Sequence, residues 1–142
     1  MEQQNFKNHK RFVLGYHLIS FTLIVMLLIG SIINFTQSAQ ENLYSSSLLI
    51  LVAVILMSLF FYARSFAIKA QDRAIRAEEK FRYYLLTGKS MSNKLTLRQI
   101  IGLRFASDEE FVALAEKAEK ENLSETEIKK AIVNWKSDNH RV

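Results

Sequence analysis

His17 is the side chain best placed to do chemistry, because its imidazole lies within residues 12–35, a run without formal charge. An ionisable ring inside so apolar a stretch is a candidate for proton relay or ligand contact. It lies near one end of that stretch, where Ser58 and Tyr62 of a second apolar run would come opposite it in an antiparallel pair. A neutral imidazole hydrogen-bonded across the pair would act as structural glue, and that reading is preferred to a functional one. His9 and His140 lie in opposite tails and form no ligand spacing with His17.

Other chemistry is sparse. Asp108, Glu109 and Glu110 form an acidic cluster, but they occupy the first turn of an expected helix, where negative charge is favoured by the macrodipole. The chain has no Cys, and it lacks a phosphate-cradling glycine loop, an HExxH pair and a nucleophile elbow. The expectation is therefore no catalytic residue, no metal site and no cofactor.

The elements that carry these residues are helical, since 142 residues contain no Pro and four Gly. Residues 12–35 are enough to cross a hydrocarbon layer of ~30 Å at ~1.5 Å per residue. A cleaved signal peptide ending near Ala39 fits less well, because its apolar run would be ~7–15 residues. Residues 36–42 form a short polar loop without Lys or Arg, and residues 43–63 supply a second span. Tyr44 marks one interface of that span, and Phe60, Phe61 and Tyr62 mark the other. Lys7, Lys10 and Arg11 precede the first span in the tail 1–11, while Arg64, Lys69, Arg73 and Arg76 follow the second. This distribution predicts a hairpin with both chain ends in the cytoplasm, and the same charges would contact anionic lipid headgroups.

Residues 64–88 continue the second span as a basic stalk. Ala63, Ala67, Ala70, Ala74, Ala77, Phe81 and Tyr84 recur at alternating steps of four and three, the spacing of a helix-interaction seam. The plain reading, that Ala is simply the best helix former, stands equally beside it. Asp72 with Arg76 and Glu78 with Arg82 are expected i,i+4 pairs. Gly88 is expected just past the stalk, followed by a flexible polar linker over 89–95.

Three capping boxes then follow, Thr96 with Gln99, Ser107 with Glu110 and Ser124 with Glu127. They predict helices over 97–105, 108–121 and 125–136 in a module spanning 96–137, with a polar tail 138–142. The expected inward residues are Leu97, Ile100, Ile101 and Leu103 or Phe105, then Phe111, Leu114, Ala115 and Ala118, then Ile128, Ala131, Ile132 and Trp135. Leu123 could staple the third helix. So small a core calls for packing against the stalk or a partner.

Charge divides along the chain. Residues 64–104 carry ten Lys or Arg against three acids, whereas 105–142 carry six against nine. Three short helices behind a basic segment suggest nucleic-acid binding in outline. The acidic middle helix would repel phosphate, however, and only Lys129, Lys130 and Lys136 favour that idea.

The segments Gln4-Asn-Phe-Lys-Asn-His-Lys-Arg11, Arg64-Ser-Phe-Ala-Ile-Lys-Ala-Gln-Asp-Arg-Ala-Ile-Arg-Ala-Glu-Glu79 and Leu95-Thr-Leu-Arg-Gln-Ile-Ile-Gly-Leu-Arg-Phe-Ala-Ser-Asp-Glu-Glu-Phe111 resemble a family of small bacterial two-span membrane proteins classed as a domain of unknown function. The likeness extends through Leu123-Ser-Glu-Thr-Glu-Ile-Lys-Lys-Ala-Ile132 and Asn134-Trp-Lys136. It implies a bacterial inner-membrane address and carries no mechanism. The expectation is an all-α membrane protein in which a two-span hairpin, a stalk and a three-helix module serve a non-enzymatic interaction or accessory role. Membrane lipid and a protein partner or second copy are the expected contacts, and no small-molecule ligand is indicated. A transport-associated component with His17 in a polar path is the alternative, and a membrane-tethered nucleic-acid binder is a further one.

Overall fold

A computed structural model describes residues 4–6, 8 and 12–138. The fold is all-α, and it divides into two compact units, one of Phe12–Ala67 and one of Ile68–Val142 together with Met1–Arg11. The division falls inside the longest helix.

In the first unit a π-helical turn, Gly15–Ser20, leads into α1, Phe21–Gln37. A 3-10 turn, Gln40–Asn42, then opens α2, Leu43–Thr87. Ser38 and Ala39 are extended, so the chain reverses within a few residues. Within this unit the buried residues of these helices are small, Ser31, Ser46 and Ala53. The Ser31 hydroxyl donates to Leu27 O at 2.7 Å and the Ser46 hydroxyl to Asn42 O at 2.8 Å, so neither buried hydroxyl is unsatisfied.

The larger apolar side chains point the other way. Met26 is 63 % exposed and Leu51 53 %, although their apolar surface would favour burial by about 25 cal/mol per Å². Both α1, with its preceding turn, and α2 are long and apolar enough to cross a membrane.

The second unit holds the C-terminal part of α2 and three short helices, α3 (Leu97–Leu103), α4 (Asp108–Glu121) and α5 (Glu125–Ala131). Gly88, at φ +69°, ends α2 in the left-handed region that favours glycine, and its N–H donates to Tyr84 O at 2.8 Å. Thr96 caps α3 by accepting from Gln99 N at 3.3 Å, and Gln99 Oε1 accepts from Thr96 N at 2.8 Å. Ser124 and Glu127 form the same reciprocal pair on α5. Phe105, Phe111, Ile100, Leu103 and Ile128 are fully buried, each contributing roughly 1.5–3 kcal/mol by removal from water.

Three expectations are corrected here. The segment 89–95 is not merely a polar linker, because Met91 and Leu95 are buried in the core. The first module helix closes at Leu103, short of Phe105. The last helix closes at Ala131, short of Lys136, and Ala131 itself is exposed. Beyond it the chain is extended and pairs with the α3–α4 corner, where Lys136 N donates to Phe105 O at 2.7 Å and Ser107 N to Asn134 O at 3.0 Å. These bonds, and the Phe105 and Trp135 rings at 5.0 Å, replace the helical hydrogen bonds that the periodic pattern implied.

Candidate functional site

The stalk portion of α2 has two distinct faces. One packs on the module through Ile75, which is buried, Glu79, which is 8 % exposed, and the half-buried Arg82 and Tyr83. Arg82 joins the two elements. Its Nη1 donates to Glu79 Oε2 at 3.1 Å, its Nη2 to Ala106 O at 2.7 Å and its Nε to Asp108 Oδ1 at 2.6 Å. Its guanidinium carbon lies 4.2 Å from the Phe111 centroid, and the Tyr83 ring meets Phe111 edge-on at 6.3 Å. Arg82 thus turns to Glu79 and Asp108, whereas the sequence pattern paired it with Glu78. A guanidinium fork can serve several acceptors at once, which an i,i+4 pair on an isolated helix does not use.

The other face carries the alanine seam. Ala63, Ala70, Ala74 and Ala77 are exposed and Ala67 is half-buried, while Phe81 is 62 % exposed and Tyr84 53 %. Leu85, absent from the expected seam, extends it at 67 % exposure. Seam and packed face follow one another by one residue, as with Ala74 and Ile75, and a residue step turns a helix by ~100°. The module therefore covers a neighbouring face and leaves the seam exposed, with Ala74 and Glu78 at the margin of the groove between stalk and module.

A groove of about 270 Å³ separates stalk from module, lined by Ala74, Glu78, Glu79, Arg104, Lys136 and Asp138 among others. Arg104 is 9 % exposed and pairs with Asp138 at 3.3 Å, with its guanidinium 4.6 Å from the Phe105 centroid. Burial pushes the Arg104 guanidinium below its ordinary range, and Asp138 opposes that shift. Burial likewise raises the Glu79 carboxyl above its ordinary range, and Arg82 holds it down in part. The Arg104 pair lies within the module and the Glu79 pair within the stalk, and Arg82 carries the latter across to Ala106 and Asp108.

Sequence reasoning missed Gln99 and Glu110 as connectors. The Gln99 Nε2 donates to Ala118 O at 3.3 Å and Leu123 O at 2.9 Å, closing the end of α4 where Asn122 takes φ 50°. Glu110 accepts from Ser107 N at 3.4 Å, Val133 N at 3.1 Å and Asn134 N at 3.0 Å. Their cap positions were visible, but their second partners come from remote chain.

In the first unit, His17 lies in the π-helical turn, and its Nδ1 is 3.0 Å from Val13 O and 3.2 Å from Val13 N. Its ring stacks on Phe12 at 4.9 Å. Ser58 donates to Val54 O at 2.9 Å, and Tyr62 stacks on Phe66 at 5.9 Å. The structure does not bring these three together. At this end the helices meet through Tyr16, whose hydroxyl donates to Phe60 O and whose ring stacks on Phe60 at 4.3 Å, and through Phe21, 5.8 Å from the Phe60 ring. Tyr16 adjoins His17, and a π turn, which Gly15 and Ser20 bound, shifts the register of side chains.

Arg64 is half-buried, and Lys69, Arg73 and Arg76 are exposed. Lys7, Lys10, Arg11, His9 and His140 lie outside the described residues. Among the described residues no three His, Asp or Glu side chains converge on a position that could hold a metal ion.

These features define an all-α protein with two long apolar helices and a small capped helical module on the continuation of the second. The chain belongs to DUF6526, a family of unknown function, whose model matches residues 1–142. No curated protein and no solved structure matches it.

Proposed function

We propose that this protein is a non-enzymatic, membrane-anchored interaction subunit of the bacterial cytoplasmic (inner) membrane. Its two apolar helices form the anchor, and the seam on its stalk docks a protein partner. The observation that carries this reading is the exposed face of Ala70, Ala74, Ala77, Phe81, Tyr84 and Leu85, left uncovered although the module packs on the adjacent face. Lys7, Lys10 and Arg11 before the spans, and Arg64, Lys69, Arg73 and Arg76 after them, set both chain ends in the cytoplasm and meet anionic headgroups. A shared compartment for the ends is supported by Asp138 N, which donates to Gln4 Oε1 at 2.8 Å.

The transport reading finds less support, since His17, Ser58 and Tyr62 each take other partners. Nucleic-acid binding still meets the acidic α4.

The docking reading is tested with single cysteines at Ala70, Ala74 and Ala77 in the otherwise cysteine-free chain, crosslinked in native membranes. Protein adducts at these positions and none at Arg76, on the far side of the stalk, are expected. Equal yields at all four positions, or none, would overturn it.

A further inference from the structure

The seam alone does not say what covers it, but the charges beside it do. In the heptad set by Ala70, Ala74, Ala77, Phe81 and Tyr84, Arg73 takes the flank just before Ala74 and Glu78 the flank just after Ala77. In a parallel two-stranded coil these are the two flanking sites that face one another across the interface. Both residues are exposed, and their charges are opposite. The same surface therefore complements itself under a two-fold axis, with Arg73 of each copy meeting Glu78 of the other.

We infer that the partner on this face is a second copy of this chain, parallel and in register, a proposal that rests on the docking reading above. Three further observations bear on it. Parallel polarity is what anchoring allows, because each copy enters its stalk from an apolar helix running in the same direction. Small residues at three successive seam positions let two helix backbones approach closely, and Phe81 and Tyr84 then supply self-facing apolar layers. Finally, Ile75, Glu79 and Arg82, which hold the module, occupy heptad sites that point away from a coil seam, and Ala74 and Glu78 remain exposed at the margin of the groove, so pairing does not require the module to leave.

The test uses the full-length chain in native membranes, with single cysteines at Ala70, Ala74, Ala77 and Arg76 under mild oxidation. Self-disulfides at all three alanine positions and none at Arg76 are expected, because only parallel in-register helices place identical seam residues opposite one another. In the Ala74→Cys background, Arg73→Glu and Glu78→Arg should each lower the disulfide yield about two- to fivefold, and the pair together should restore it. Trp135 fluorescence confirms that each variant retains its module.

A self-disulfide at one alanine position only would point to antiparallel helices and overturn the proposal. Disulfides indifferent to charge reversal would overturn the Arg73 to Glu78 register. Crosslinker capture of a different protein without self-disulfides would overturn the second copy while leaving the docking reading intact. Capture of nothing would overturn both.

Discussion

The Arg82 guanidinium lies over the Phe111 ring, 4.2 Å from its centroid, and places a stalk residue against the centre of the module core. The same guanidinium reaches Glu79, Ala106 and Asp108, so one side chain crosses from helix to corner to cap. Replacing it with Met keeps much of the packing but leaves the buried Glu79 carboxylate unpaired. We expect a loss of about 3 kcal/mol, read from chemical denaturation followed by Trp135 fluorescence. Arg82→Lys should recover only part of this, because a single ammonium cannot reproduce the fork.

Glu79 gives stability a definite pH dependence. Its carboxyl is raised by burial, so the folded chain holds the proton at pH values where the unfolded chain has lost it. That contribution is fully present below the ordinary carboxylate range and is lost as pH rises through the raised folded value. Glu79→Gln should flatten this part of the profile. The measurement is the denaturation midpoint across the mildly acidic range, and an unchanged slope would contradict the assignment.

Glu127 works in the opposite direction. The Ser124 backbone N–H, at 2.7 Å, holds its carboxyl below the ordinary range, so its contribution is present above that range and fades as pH falls through the lowered value. Glu127→Gln can still accept the N–H, and should preserve α5 at neutral pH while weakening the acid sensitivity of its first turn. Amide exchange at Ser124 reads this directly.

Glu110 joins the start of α4 to the strand-like end of the chain. Glu110→Ala should cost about 1–2 kcal/mol, because the cap is lost together with the acceptor for Val133 and Asn134. Exchange at those two amides should accelerate more than exchange at Leu114. Equal acceleration would show that Glu110 acts only on the helix.

Gly102 is required by close packing of α3 on α5, since an added Cβ would meet Glu125 O and the Ile128 Cγ2, each at 3.2 Å. A backbone oxygen cannot swing aside. Gly102→Val should therefore cost about 2 kcal/mol, and Gly102→Ala less, because its better helix propensity offsets part of the strain. The same Trp135 readout applies.

Local chemistry made much of this architecture legible in the chain. Helix starts at Thr96 and Ser124 announce themselves because a hydroxyl and its reciprocal acceptor lie three residues apart, within reach of a single turn. The apolar runs, the left-handed stop at Gly88 and the inward stripe from Ile100 to Ile128 are equally local or periodic. Tertiary structure decided the rest. Whether Arg82 pairs with Glu78 or with Glu79, and whether Ile132 to Lys136 continues a helix or pairs with Phe105 and Ser107, depends on groups distant in sequence. Met91 reads as linker until the core closes around it, and His17 reads as a partner for Ser58 until a π turn sets Tyr16 against Phe60. Periodicity describes which face of a helix is apolar, whereas the choice of what covers that face comes from shape and hydrogen-bond satisfaction across the folded chain.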